Sequence, residues 1–282
     1  MKIVKDKIGL QKEVQAARKD GRTIGFVPTM GALHTGHLSL VKLCRQRTNF
    51  SVVSIFVNPT QFGPTEDFER YPRTPEKDCE LLEAERVDLV YIPTRKEMYG
   101  EAENITVDPG PKAEIFEGRI RPTHFRGVLT VVAKLFLQTQ PDAAIFGEKD
   151  AQQLFLIREM TRDLCFPIEI IEGKTLREQD GLALSSRNRY LKKAEREQAS
   201  VLYHALEAGV AAFEGGARSL DLVREVMREA LGKVPEFDPD YFTSVDNDTF
   251  DEVDPICDNS RFILAGRIGS VRLIDNMRPE KS

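Results

Sequence analysis

The sequence of 282 residues predicts an α/β fold with a parallel sheet, followed by a smaller α+β domain. Short apolar runs alternate with helical patterns up to about residue 176. The runs 23–27 and 51–57 flank a helical pattern, and such strand–helix–strand units form parallel sheets with right-handed crossovers. After residue 176 helical segments come first and strand-like segments follow. We therefore predict domains at 1–176 and 177–282.

Hydrophobic spacing and capping residues predict the individual elements. In the first domain, helices are expected over 9–20, from Gly36, from Pro75, from Phe125 and directly after Asp150, and strands over 23–27, 51–57, 88–93, 104–107, 143–146 and 168–171. In the second, helices are expected over 192–213 and 219–233, and strands over 241–245, 261–265 and 270–274.

The composition is that of an ordinary globular protein, with 41% hydrophobic and 30% charged residues. A net charge of -5 disfavours a nucleic-acid coat or a membrane-surface protein, and no apolar run has the length of a membrane span. The N-terminus lacks the apolar segment of a signal peptide. The four cysteines are far apart in sequence, which suits free thiols in a cytoplasmic protein. Three of them (Cys44, Cys79 and Cys165) are expected within helices as small apolar residues.

The stretch from Pro28 to His37 lies between a predicted strand and a predicted helix. The N-terminus of a helix offers unpaired N–H groups to phosphate, and glycine lets a ring or a phosphate approach the backbone. His34 and His37, three residues apart, can donate hydrogen bonds to the same anion. The stretch predicts a nucleotide-phosphate site. Half of a zinc site is the alternative, although no cysteine or acidic residue lies close by in sequence.

Three further segments carry polar groups that suit the same ligand. In an open parallel sheet, ligands bind at the carboxyl ends of the strands, where we expect the His34 turn, the loop 58–73 with Gln61, and the turn 147–150 with Lys149. The segment 185–187 lies at the predicted domain boundary. Imidazole, ammonium, guanidinium and hydroxyl groups together suit a triphosphate. The sequence contains no Walker A motif. It also lacks the G-x-G-x-x-G motif of dinucleotide-binding proteins, so redox chemistry on a dinucleotide loses support.

Five motifs in this order resemble the pantoate–β-alanine ligase (pantothenate synthetase) family, in the nucleotidyltransferase superfamily with the H-x-G-H motif. They are Val27 to His37, Phe56 to Phe62, Phe125 to Val128, Phe146 to Asp150 with Gln152 and Gln153, and Arg177-Glu178 with Leu184 to Asn188. The resemblance covers nearly the whole chain and is weaker after Gly215. It implies a Rossmann-like N-terminal domain that binds ATP and pantoate, and a C-terminal lid.

The resemblance also implies the reaction. ATP and (R)-pantoate form pantoyl adenylate and pyrophosphate, and β-alanine then displaces AMP to give pantothenate. Mg²⁺ is expected to be held mainly through the ATP phosphates, so no residue is predicted as a metal ligand. The enzyme is expected to be a homodimer that acts on small molecules and binds neither nucleic acid nor membrane.

Residue roles follow from the same motifs. The predicted catalytic residues are His34, His37, Lys149, Ser185, Ser186 and Arg187, with His37 as the proton donor. The predicted ATP-binding residues are Met30, Gly31, Ala32, Leu33, His34, Thr35, Gly36, His37, Gly147, Glu148, Lys149, Asp150, Leu176, Leu184, Ser185, Ser186 and Arg187. Gln61 and Gln153 are predicted to bind pantoate, and Gln61 also borders the β-alanine site. His124 and His204 are expected to be structural or surface residues.

The sequence departs from the family pattern at two positions. Leu184 replaces the usual methionine and Ala151 replaces a common aromatic residue, and neither change removes a reacting group. Two other functions stay open at this point. One is another H-x-G-H adenylyltransferase, which transfers AMP onto a phosphate, and the other is a nucleotide sensor without catalysis.

Overall fold

The structure, a computed structural model, describes residues 1–102 and 104–279, so the last three residues of the predicted second domain lie outside it. The chain divides into two compact units. The first consists of Met1–Gly147 and Gln152–Gly173, and the second of Glu148–Ala151 and the chain from Lys174 onwards. The sequence placed residues 148–151 in the first domain.

The first unit is a six-stranded parallel sheet with helices, so the predicted α/β class is confirmed. Its strands are β1 (Lys2–Val4), β2 (Ile24–Thr29), β3 (Phe50–Ile55), β4 (Leu89–Tyr91), β5 (Ala143–Gly147) and β6 (Glu169–Gly173). Its helices are α1 (Lys7–Lys19), α2 (Thr35–Arg47), α3 (Pro75–Ala84), α4 (Arg95–Tyr99), α5 (Glu117–Ile120), α6 (His124–Thr139) and α7 (Ala151–Asp163).

The strand order β1-β4-β3-β2-β5-β6 places β2 at the centre of the sheet. The chain runs from β2 through β3 to β4 on one side and then crosses to β5 on the other. Ligands bind to sheets of this kind where the strand order reverses. All six residues of β3 are buried, as expected for a central strand with both faces covered. The topology therefore predicts a ligand-binding site at the loop after β2.

Several elements differ from the sequence-based prediction. The strand β1 was not predicted because three residues are too short for a periodic pattern, and it forms by pairing with β4. The predicted strand over 104–107 is wrong, since these residues have no regular secondary structure. Cys44 is buried within α2 as predicted, whereas Cys165 follows the end of α7 and is exposed.

The second unit packs helices on an antiparallel sheet, in agreement with the predicted α+β character. Its helices are α8 (Lys193–Gln198), α9 (Val201–Glu214) and α10 (Leu220–Leu231), and its strands are β7 (Phe237–Asp246), β8 (Ser260–Ile268) and β9 (Val271–Met277). The predicted helix over 192–213 is thus two helices. Its core joins the apolar faces of α9 and α10 to the sheet, with Met227 and Phe262 fully buried. None of the described helices combines the length and hydrophobicity that crossing a membrane requires.

Candidate active site

The turn between β2 and α2 carries both histidines of the H-x-G-H motif. His34 is the N-cap residue of α2, and its Nδ1 accepts a hydrogen bond from the N–H of Gly36 at 3.1 Å. The Nδ1 of His37 accepts from the backbone N–H of His34 at 3.4 Å. The two rings lie 4.1 Å apart between centroids. The structure therefore brings the two predicted imidazoles together at the N-terminus of a helix.

These hydrogen bonds also select the tautomer of each histidine. A neutral imidazole has one nitrogen that accepts and one that carries the proton. Because a backbone N–H donates to Nδ1 in both rings, the proton of the neutral ring lies on Nε2. Both side chains can therefore present an N–H donor to an anion. The partial positive charge at the N-terminus of α2 also favours the binding of an anion.

A buried carboxylate holds the segment just before the histidines. Gly31 and Ala32 both have positive φ angles, of 78° and 51°, which bend the chain sharply after β2. The Asp78 carboxylate in α3 accepts the N–H of Ala32 at 2.9 Å and the N–H of Leu33 at 2.8 Å. Asp78 is only 1% exposed. No local sequence pattern marks this residue, because only the fold brings the first turn of α3 to a loop more than forty positions earlier in the chain.

Gln61 lies in a short 3-10 helix (Pro59–Gln61) that follows β3, and it is buried. Its Nε2 donates to the sulfur of Met30 at 3.1 Å, and its Oε1 accepts from Asn58 at 3.2 Å. Asn58 in turn accepts a hydrogen bond from the Tyr99 hydroxyl at 2.7 Å. The predicted pantoate residue Gln61 is thus held next to the predicted ATP residue Met30 in the first unit.

Helix α6 packs directly on the backbone of the Gln61 loop. A methyl group at Gly127 would lie 2.3 Å from the Thr60 carbonyl oxygen and 2.6 Å from the Gln61 nitrogen. The Gly127 carbonyl also accepts a hydrogen bond from the Asn58 amide at 3.1 Å. These contacts explain the glycine in the Phe125 to Val128 motif, to which the sequence analysis assigned no role.

His124, the first residue of α6, supports the same loop. Its Nδ1–H donates to the Gln61 carbonyl at 2.9 Å. Burial lowers the pKa of His124 to about 4, and the nearby Arg121 charge acts in the same direction. The Gln61 carbonyl and the carboxylates of Glu117 and Glu66 oppose this shift. His124 is therefore a neutral structural residue at physiological pH.

The two adjacent glutamines at the start of α7 have different surroundings. Gln152 is 4% exposed and holds the segment 112–117, since it donates to the carbonyls of Lys112 and Ile115 and accepts from the N–H of Glu117. The side chain of Gln153 is half-buried and makes no hydrogen bond within residues 1–102 and 104–279. The predicted pantoate residue Gln153 thus keeps its amide available, whereas Gln152 is structural.

The second unit carries the turn with Lys149. The Glu148 carboxylate accepts the N–H of Thr175 at 2.9 Å and lies 3.6 Å from the Arg278 guanidinium. Among the described residues, the Lys149 ammonium makes no ion pair, and Lys149 is half-buried. A half-buried lysine without an acidic partner is suited to bind an anionic ligand.

The same unit carries the remaining predicted ATP residues in a hairpin. The N–H of Leu184 donates to the Leu176 carbonyl at 2.9 Å, so these two predicted ATP-binding residues lie opposite each other. Ser185 caps the short 3-10 helix Ser186–Tyr190, where its Oγ accepts the N–H of Arg187 at 3.3 Å. The Ser185 hydroxyl is thereby oriented by the backbone of the residue that carries the guanidinium.

No group of three or more His, Cys, Asp or Glu side chains suitable for a metal ion occurs in the described part of the chain. The predicted phosphate ligands are mostly N–H and O–H donors, whereas Mg²⁺ prefers oxygen ligands and keeps several waters. This donor set suits Mg²⁺ that is held through phosphate oxygens rather than by a protein cage.

Comparison with known proteins places the chain in a family. A family model described as pantoate-beta-alanine ligase matches residues 2–278. A pantothenate synthetase from Acidothermus cellulolyticus is 51% identical over an alignment of 266 residues that covers 92% of this chain and 86% of that protein. One from Caldicellulosiruptor bescii is 46% identical over 276 residues and 98% of both chains.

Solved structures agree with the sequence relatives. Pantothenate synthetase from Thermus thermophilus superposes with a TM-score of 0.94, at 46% identity and 99% coverage of both chains. Pantoate-beta-alanine ligase from Francisella tularensis, complexed with beta-gamma ATP and beta-alanine, superposes with a TM-score of 0.82 at 34% identity, covering 100% of this chain and 99% of that one. The chain belongs to the pantoate-beta-alanine ligase family.

Proposed function

We propose that this ligase joins (R)-pantoate to β-alanine in two steps on ATP, through pantoyl adenylate. In the first step a carboxylate oxygen of pantoate attacks the α-phosphorus of ATP, and pyrophosphate leaves. In the second step the neutral amine of β-alanine attacks the acyl carbon and loses a proton, and AMP leaves with the bridging oxygen. The observation that carries the proposal is the turn of His34 and His37, with two Nε2–H donors at the N-terminus of α2.

The first step requires alignment and positive charge rather than a base. The carboxyl group of pantoate is ionised at neutral pH and is already a nucleophile. Negative charge shifts towards the leaving pyrophosphate as the bond breaks, and N–H donors and cations stabilise it. We assign His34, His37, Lys149 and Arg187 to the phosphates, with Ser185 and Ser186 as hydroxyl donors. His37 is the proposed proton donor.

The remaining predicted residues bind the rest of the substrates. The backbone from Met30 to His37 holds ATP, with Gly36 against the adenine. Gly147, Glu148 and Asp150 also grip ATP, with Asp150 near the ribose. Leu176 and Leu184 contribute apolar contacts. Gln61 and Gln153 bind pantoate through amides that donate and accept without adding charge. Gln61 also borders the β-alanine site, and the ligands of the Francisella tularensis relative, beta-gamma ATP and beta-alanine, fit this assignment.

Mg²⁺, the dimer and the cellular location are part of the same proposal. Mg²⁺ bound to the phosphates would neutralise part of their charge, and EDTA should abolish turnover. Light scattering should give twice the chain mass of 31.9 kDa for a homodimer. All four cysteines are free thiols, which suits the reducing cytoplasm.

The activity is tested by mixing the protein with ATP, Mg²⁺, pantoate and β-alanine and by following the nucleotide product. We expect AMP and pyrophosphate, with AMP release dependent on the amine. Release of ADP, or no turnover, would contradict the proposal. Pyrophosphate release that needs a phosphate acceptor and no amine would instead support another adenylyltransferase, and tight ATP binding without turnover would support a sensor.

A Lys149→Ala variant tests the proposed phosphate contact. Loss of one charged donor to the transition state should lower the adenylation rate by about 10²- to 10³-fold. The matched control is Lys193→Ala, which removes an exposed lysine from the same unit. Equal activity of the two variants would contradict the proposed role of Lys149 in binding phosphate.

A further inference from the structure

We propose that Asn276, oriented by Arg261, is a positioning residue for Lys149. Asn276 lies in β9, more than 120 residues after Lys149 and outside the motifs that carry the family resemblance. Its side-chain Nδ2 donates one hydrogen bond to the Glu148 carbonyl at 2.9 Å and one to the Lys149 carbonyl at 2.8 Å. One amide group therefore uses both of its N–H bonds on two successive carbonyls of this turn.

Arg261 determines which way the Asn276 amide faces. The guanidinium of Arg261 donates to Asn276 Oδ1, and its Nε donates to Asn247 Oδ1 at 3.0 Å. Arg261 is 2% exposed and Asn276 is 4% exposed. Since a guanidinium only donates, it holds the oxygen of the amide and turns the NH₂ group towards the two carbonyls.

The preceding residue in β9 holds the hairpin that carries the other proposed ATP residues. The Asp275 carboxylate accepts from both terminal nitrogens of Arg177, at 2.6 and 3.1 Å. Arg177 also donates to the carbonyls of Asn276 and Gly181. Two successive residues of β9 thus anchor the two segments of the second unit to which we assign ATP.

The contacts of Asn276 act on position rather than on charge. Lys149 reaches its ligand through a long and flexible side chain, so the location of its backbone sets where the ammonium can lie. A displacement of about 1 Å in a catalytic group can cost about 100-fold in rate. Because the Asn276 amide donates to the backbone of the Lys149 turn, we expect its effect on catalysis to pass through the position of Lys149. This inference rests on the phosphate role proposed above for Lys149.

An Asn276→Asp variant tests the position of the Lys149 turn without changing the packing around residue 276. Aspartate keeps the volume of the side chain and the oxygen that accepts from Arg261. Its second oxygen would face the two carbonyl oxygens at the distances where the amide now donates, and repulsion would displace the turn. An Asn276→Ala variant serves as the second test, because it removes the donors without adding charge.

The readout is pantoate-dependent exchange of pyrophosphate into ATP. Both variants should lower kcat by about 10- to 100-fold and leave the KM for pantoate unchanged. The matched control is Asn259→Ala, which removes an amide that also donates two hydrogen bonds, to Asp246 at 3.1 Å and Asp248 at 3.0 Å. Thermal unfolding verifies that each variant is folded.

A double-mutant cycle decides whether Asn276 acts through Lys149. In the Lys149→Ala background, Asn276→Asp should change the exchange rate by less than about 2-fold. The inference would be overturned if the rate losses of the two single variants multiplied in the double variant. It would also be overturned if Asn276→Asp alone had the wild-type exchange rate. The same cycle is measured on the affinity for a non-hydrolysable ATP analogue by calorimetry. If the wild-type protein shows no exchange, the proposed function fails, and the coupling in analogue binding still decides the role of Asn276.

Discussion

The Asp78 carboxylate accepts the backbone N–H of Leu33 at 2.8 Å and joins the first turn of α3 to the turn before the histidines. Its other oxygen accepts the N–H of Ala32 at 2.9 Å, and the Thr74 hydroxyl donates to the same carboxylate at 3.1 Å. Gly31 and Ala32 have consecutive positive φ angles, and the N–H groups of Ala32 and Leu33 lie between β2 and α2, outside regular secondary structure. The buried carboxylate accepts both hydrogen bonds and fixes the position of His34, the N-cap residue of α2.

We expect Asp78→Asn to lower the free energy of unfolding by about 1–3 kcal/mol. The amide nitrogen would face a backbone N–H, which leaves a buried donor unsatisfied. The adenylation rate should also fall, because the turn that carries His34 and His37 loses its support. Urea unfolding and pyrophosphate exchange measure the two effects. Glu76→Gln, an exposed change in the same helix, should alter neither, and a fully active Asp78→Asn would refute the role.

Gly127→Ala should destabilise the protein by about 1–3 kcal/mol, although alanine ordinarily favours a helix over glycine. The added methyl would overlap the backbone of Thr60 and Gln61, so the KM for pantoate should rise. Steady-state kinetics with varied pantoate measure the change. Gly9→Ala in α1 is the control, since its methyl would have ordinary contacts of 3.4 Å or more. An unchanged KM would show that α6 does not set the Gln61 loop.

His124 should make stability depend on pH. Its pKa is about 4 in the folded protein and about 6.5 when unfolded, so the unfolded chain binds more protons between these values. The contribution of His124 is complete above about pH 6.5 and is lost as the pH falls towards 4, with a total of about 3 kcal/mol. His124→Asn keeps a donor near the position of Nδ1 and does not titrate. As the pH falls from 7 to 4.5, the free energy of unfolding of the wild type should decrease relative to that of His124→Asn. A difference between the two proteins that stays constant over this range would contradict the prediction.

The tautomer of His37 predicts how two substitutions differ. In His37→Gln the amide nitrogen lies near the position of Nε2 and can still donate to phosphate, whereas in His37→Asn the amide lies near Nδ1. We expect His37→Asn to lose about 10²- to 10³-fold in adenylation and His37→Gln to lose less. Single-turnover formation of pyrophosphate in the presence of pantoate measures the adenylation rates. If asparagine replaced histidine better than glutamine, the proton would lie on the other nitrogen.

The residues of the sequence motifs account for much of the candidate site. The pattern around His34 and His37 predicted a helix N-terminus, and the structure has His34 as the N-cap of α2. Local chemistry was sufficient there, because the turn, the cap and both imidazole contacts lie within a few residues. Long apolar runs such as 51–57 likewise predicted buried strands. Short elements could not be predicted in this way, since β1 exists only through its pairing with β4.

By itself, the sequence determined the α/β class, the H-x-G-H turn and the family, because periodicity, capping and ordered motifs are local properties of the chain. Only the tertiary structure decided which buried polar groups hold those motifs in place. Asp78 accepts a hydrogen bond from Leu33, and Asn276 donates one to Lys149, although both pairs are far apart in sequence. No local pattern marks such pairs, since a buried donor or acceptor is satisfied by whatever the fold brings to it.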